Sequence, residues 1–135
     1  MKKDWIYYAE RSLSILAAFI LLQTLYFKFT AHPESVFIFS EIGMEPWGRI
    51  GIGILELIAG GLLLFRSVSF HGALLAIGLM GGAIFFHLTK LGIDVQHDGG
   101  QLFYMAVFVL VASVLVIAMR KKDVQDFVEK VKQVK

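Results

Sequence analysis

The chain has 135 residues, of which 57% are hydrophobic and 18% charged, and its mean hydropathy of +0.71 is too apolar for a water-soluble domain of this size. A formal charge of +2 argues against a nucleic-acid partner. The absence of cysteine removes disulfide exchange, thiolate metal sites and thiol nucleophiles together, so any redox chemistry has to come from a bound cofactor.

What these numbers predict is an all-α integral membrane protein, a four-helix bundle in the lipid bilayer. A membrane helix needs ~20 largely apolar residues, and four stretches qualify: 6–28, 47–65, 70–91 and 100–119. They define a transmembrane domain over 1–119 and a basic tail over 120–135. Lys2 and Lys3 before the first apolar run resemble the start of a signal peptide, but Glu10 and Arg11 interrupt the run and no cleavage pattern follows Phe27. We therefore expect the span to be retained. Between spans one and two, HPESVFIFSEIGMEP places Pro33 at a first helical position, apolar Val36, Phe37 and Phe39, and Gly43 as a stop. A short interfacial helix is expected there, with Trp47 anchoring span two at headgroup depth. In the tail, Val124, Phe127, Val128 and Val131 recur at helical spacing among lysines, the pattern of an amphipathic helix against the inner leaflet or against a partner.

Alternating spans place ten of the thirteen basic residues on the side of the termini, leaving Lys28, Arg49 and Lys90 on the other. The excess of Lys and Arg in short segments marks the cytoplasmic side, so both termini are expected to be cytoplasmic in a multi-pass protein of a bacterial-type inner (plasma) membrane. Glycines thin spans two and three. Gly78 and Gly82 form a GxxxG, expected first to bring two helices of the chain into close contact and second to mediate a homodimer.

Within GIGILELIAGGLLLF of span two, Glu56 is the one carboxylate among aliphatics and glycines. It follows Trp47 by nine residues, about 13 Å of helix rise, and so lies near the midplane. A charge facing lipid there costs ~2.5–3.5 kcal/mol on insertion scales, so Glu56 is expected to face the bundle, be protonated or pair with a cation. Gln23 and Lys28 end span one, His87 and Lys90 end span three, and Gln101 and Tyr104 begin span four. All lie in the outer half, and the inner half is expected to be almost free of polar groups. The simplest geometry is an outward-opening polar pocket with Glu56 as its floor and Arg49, His87 and Tyr104 on its walls. An acid and an imidazole reached from one aqueous side can relay protons; the same residues can instead form a hydrogen-bonded knot that locks the helices and binds nothing. Glu56→Gln is expected to separate the two by removing the titrating group while keeping the fold. No metal site is expected, because the spacing of His32 and His97 matches no ligand motif, and no nucleotide or hydrolase signature is present.

Four segments together resemble the DoxX and DoxX-like membrane proteins, from about Arg11 to Met119. They are Lys28 after span one; the interfacial segment ending in Gly43 and Pro46; ELIAGGLLL with Glu56, Gly60 and Gly61; and FHLTKLG followed by DGG, carrying His87, Gly92, Gly99 and Gly100. Two features depart from that pattern: the Gly-x-Pro turn is lengthened to GMEP, and Gln101 stands where relatives often carry a carboxylate. The resemblance implies four helices and a role as membrane partner of a redox enzyme, at most a subunit of a membrane oxidoreductase. On that reading Glu56 and His87 exchange protons with a quinone headgroup, Arg49 and Tyr104 orient it, Gln23, Lys28 and Gln101 complete its site, and a soluble redox partner supplies electrons. Distant animal relatives resemble receptor-assembly chaperones, so a non-catalytic assembly or anchoring factor is the alternative. A small proton-coupled carrier, requiring a dimer, is the third.

Overall fold

The structure, a computed structural model, describes residues 2–135. Among the described residues seven α-helices run in the order α1 (Lys2–Gln23), α2 (Leu25–Phe29), α3 (Pro33–Glu41), α4 (Trp47–Leu64), α5 (Ser69–Phe86), α6 (Gln101–Met119) and α7 (Lys121–Val134), with a π-helical turn over His87–Leu91 after α5. No strand occurs among the described residues. Four helical stretches are long and apolar enough to cross a membrane: Asp4–Phe29, Trp47–Leu64, Ser69–Leu91 and Gln101–Met119. They are the four expected spans, shifted by a few residues at their ends, and they make a multi-pass membrane protein.

The spans form a ring in which α1 touches α4 and α6, and α5 touches α4 and α6. Their shared core is built from small residues, with Ala17, Ala18, Ala59, Ala73, Ala76 and Ala112 at 1% exposure or less. Lipid gives apolar helices little reason to associate, so close backbone approach supplies the attraction through dispersion. Gly60 and Gly53 belong to this logic: an added Cβ would lie 2.8 Å from Leu22 at the first and 2.9 Å from Phe29 at the second. Gly78 and Gly82 do not, since a Cβ on either meets nothing within 4 Å. The expected close intramolecular contact at that GxxxG is therefore corrected.

An even number of spans puts both termini at one end of the bundle. Exposed Trp5 and Tyr8 ring that end, and exposed Tyr26 and Trp47 ring the other. Tyr8 and Tyr26 are separated by about 27 Å of helix rise, close to the ~30 Å hydrocarbon thickness that aromatic belts bracket.

Local chemistry explains the breaks. The first span is interrupted at Thr24, whose hydroxyl donates to Leu21 O at 2.8 Å, a back-bond that competes with the helical ladder. At α3, the His32 ring accepts the Glu34 N–H, Pro33 occupies the first turn and Gly43 adopts φ +73° beyond the end. α3 then caps the loop end of the bundle, burying Ser35 and Phe39. α7 carries its apolar residues on one face and none of them is buried. It turns at Arg120 so that Phe127 reaches Phe70 at the start of α5, ring centroids 5.9 Å apart.

Candidate functional site

Glu56 faces the bundle interior at 4% exposure. Its partner is Lys28, whose Nζ lies 2.9 Å from Oε2, and the Thr24 hydroxyl lies 3.3 Å from the same oxygen, the longer alternative to its bond with Leu21 O. Lys28 lies on the short helix α2, beyond the break at Thr24. Arg49 secures the break: it donates to the Lys28 carbonyl, which the end of α2 leaves without a helical donor, and pairs with Glu45 at 2.9 Å. Arg49, at 7% exposure, is thus a clamp on the segment that carries Lys28.

The ion pair stands at one side of a cavity of about 350 Å³ between the four spans and beneath α3. Its walls are mostly apolar, with Ile20, Leu21, Ile38, Phe39, Met80 and Leu102 prominent. Gln23, Thr24, Lys28, Glu56, His87 and Gln101 supply its polar edge, and Glu34 and Ser35 of α3 add to it. Of the expected site residues, Glu56, His87, Gln23, Lys28 and Gln101 therefore come together. Arg49 and Tyr104 do not line the cavity. Tyr104 is 60% exposed and packs toward Gly100, where an added Cβ would lie 2.9 Å from its ring; the start of α6 is rotated so that the tyrosine faces outward. The expected pocket walls are corrected accordingly.

His87, at 6% exposure, opens the π-helical turn. Its Nδ1 lies 2.8 Å from Gly92 O, and since a carbonyl only accepts, Nδ1 carries a proton toward it. The ring also meets Phe103 edge-on at 5.7 Å. A π-turn inserts one residue into the helical register and re-aims the side chains beside it, which is why such turns recur at binding sites. Gly92 closes it at φ +77°.

The DGG motif is a turn and a cap. The Asp98 carboxylate accepts from Val95 N at 3.0 Å, Gly100 N at 2.8 Å and Leu102 N at 3.2 Å, while Gly99 and Gly100 hold φ of +69° and +86°. Burial by itself raises this carboxyl, but the N–H donors of Gly100, Leu102 and Val95, with His87 nearby, outweigh it and hold the group below its ordinary value. The motif thereby fixes Gln101 at the cavity edge.

A second polar cluster, absent from the sequence reading, lies at the termini end. Glu10 is 1% exposed. Its carboxylate meets Arg11 at 2.9 Å, Arg66 at 3.0 Å and Arg120 at 3.7 Å, and accepts hydroxyls of Ser14 at 3.0 Å and Ser69 at 2.8 Å. Arg120 also donates to Ser69 Oγ at 2.7 Å and to Arg66 O, and Arg11 donates to Leu64 O at 3.1 Å. One carboxylate thus gathers α1, the α4–α5 turn, α5 and the α6–α7 junction. The expectation of a nearly apolar inner half is overturned. The signal available was Glu10 and Arg11 inside an otherwise apolar run, with Arg66 and Arg120 at the ends of two other spans on the same side.

Among the described residues no group of histidines and acids could hold a metal ion. No family model, no curated protein and no solved structure matches this chain.

Proposed function

We propose that the chain is a DoxX-like, quinone-binding membrane subunit that works with a redox partner at a bacterial-type inner membrane, with both termini cytoplasmic. The observation that carries this reading is the shape and polarity of the cavity: about 350 Å³ of mostly apolar space ending in a few convergent polar groups, the pattern of a small-ligand site. A quinone fits this donor set, because its carbonyl oxygens accept hydrogen bonds and its ring and tail are apolar. The Lys28 ammonium and the Gln23 and Gln101 amides are donors at the cavity edge. A quinone supplies two-electron, two-proton chemistry when bound, the electrons coming from the partner protein. Within this chain, Glu56 holds Lys28 in place, and His87 Nε2 is the atom for proton exchange.

The mutual satisfaction of Lys28 and Glu56 favours a second reading, an assembly or anchoring factor whose buried pair only fixes helix register. Binding separates them. In lipid nanodiscs, decyl-ubiquinone or decyl-menaquinone should bind saturably to the wild type, and His87→Asn should weaken binding without changing the melting temperature. Non-saturable partitioning of both quinones, equal to that of empty nanodiscs, overturns the quinone reading in favour of the assembly factor.

A further inference from the structure

Gly78 and Gly82 border the cavity, yet no atom of the chain stands where their side chains would be. The α4-facing side of α5 is marked by Gly72, whose added Cβ would lie 2.8 Å from Leu63 N, 2.9 Å from Leu62 Cβ and 3.0 Å from Ala59 O. Helical spacing carries that side along Gly72, Ala76, Leu79, Ala83 and Phe86, with Gly82 about 80° and Gly78 about 120° around the helix from Gly72. On α4, the cavity is lined by Ile52 and Glu56, one to two turns beyond Ala59 toward the loop end. The close contact between the two helices is at Gly72, and nearer the loop end both helices border the cavity. Gly78 and Gly82 are exposed and border that cavity, whereas the equally exposed Gly81 and Phe85 do not. Gly78 and Gly82 thus lie on the boundary between the cavity and the lipid-facing surface, in a membrane span, where neither closes the gap.

We propose that Gly78 and Gly82 form a side window between α4 and α5, through which the hydrocarbon tail of a membrane-resident lipophile passes while its polar head sits by Lys28, Glu56 and His87. The ligand class is a long-tailed lipophile that reaches the site from the bilayer, and not a water-borne solute. The head assignment rests on the quinone reading, whereas the window rests on the α4–α5 geometry. His87 supplies the independent sign of a ligand, since it is 6% exposed, borders the same cavity and has only Nδ1 engaged, with Gly92. A hydrocarbon tail suits the opening better than a helix of a second copy, because the glycines border a mostly apolar cavity of about 350 Å³ between the spans.

The chain has no thiol, so Met105→Cys places a single reporter on the α6 wall of the cavity. In nanodiscs, a bilayer-dissolved alkyl maleimide should label it faster than a charged, impermeant maleimide. Adding Gly82→Leu should slow the alkyl reagent about tenfold, and Gly82→Ala, which adds one methyl in open space, should leave labelling near the parent rate and report intact folding. The window is overturned if Gly82→Leu leaves the alkyl rate within about twofold of the parent, if the charged reagent labels as fast as the alkyl one, or if Gly82→Leu converts a dimer to a monomer. Protection of the thiol by decyl-ubiquinone tests the head assignment separately. Its absence alongside a Gly82→Leu effect rejects the quinone and retains the window.

Discussion

Replacing Glu56 alone should destabilise the bundle, contrary to the expectation from sequence that Glu56→Gln keeps the fold. Lys28 and Glu56 are paired at 2.9 Å with side chains 15% and 6% exposed, so the amide leaves a nearly buried ammonium without its counter-charge. Breaking a buried pair in this way costs ~3–5 kcal/mol. Polar neighbours at the cavity edge soften the loss, and we take the lower end, about 3 kcal/mol, which lowers the melting temperature of a chain of this length by roughly 10 °C. Lys28→Met should cost a similar amount by stranding the carboxylate. The double variant Lys28→Met/Glu56→Leu removes both charges and should recover most of the loss, because an apolar replacement for a whole buried pair is often neutral. The assay is a double-mutant cycle, using the temperature at which the monodisperse size-exclusion peak disappears. A coupling energy below about 0.5 kcal/mol would refute the reasoning, since it would mean that the two groups do not depend on each other. Quinone binding in the rescued double variant then carries the functional question: a site that uses these charges stays empty in a stable protein, whereas a pair that only fixes register is dispensable.

Three further outcomes follow from the other clusters. Ser69→Ala removes a hydroxyl that donates to Glu10 and accepts from Arg120; it should lower stability by about 1–3 kcal/mol, and an unchanged melting temperature would show that the Glu10 cluster holds nothing together. Asp98→Ala should cost about 1 kcal/mol at neutral pH as a lost cap. Because the Asp98 carboxyl lies below its ordinary value in the fold, its contribution is present above the ordinary carboxylate range and is lost as pH falls through the folded value. The gap between wild type and Asp98→Ala should therefore close on acidification, and a gap that widens contradicts the cap. For topology, cysteines at Lys2 and Gln133 should resist an impermeant reagent in intact cells while one at Asp98 reacts; the reverse pattern would invert the assignment of the two faces.

The spans and α3 are legible because their signals are local. Hydropathy over ~20 residues locates a span, and Pro33 with Gly43 brackets a helix wherever it packs. Glu56 is legible for the same reason, being the single acid in a long apolar run. Its partner is not, since Lys28 lies beyond the break at Thr24 on a separate short helix, whose rotation hydropathy does not give. Reading depth along an ideal helix ranks Arg49, His87 and Tyr104 as neighbours of Glu56, but depth leaves rotation undetermined. Tyr104 turns outward because Asp98 and the left-handed Gly99 and Gly100 set the angle at which α6 begins.

Glu10 shows the converse. Beside Arg11 and near the N-terminal lysines it looks like the polar flank of a membrane helix, and its other cationic partners, Arg66 and Arg120, lie at the ends of other spans. Yet the membrane itself narrows the alternatives, because charges at one end of four spans are confined to one thin layer and an acid among arginines there has few other places to go. The same confinement does not help with glycines. Gly72 is buried against Ala59, Leu62 and Leu63, whereas Gly82, about 80° further around α5, is exposed with open space before it. A glycine's place in a motif does not give the face it presents once the helices have packed, and that face decides whether it seals a contact or borders the cavity.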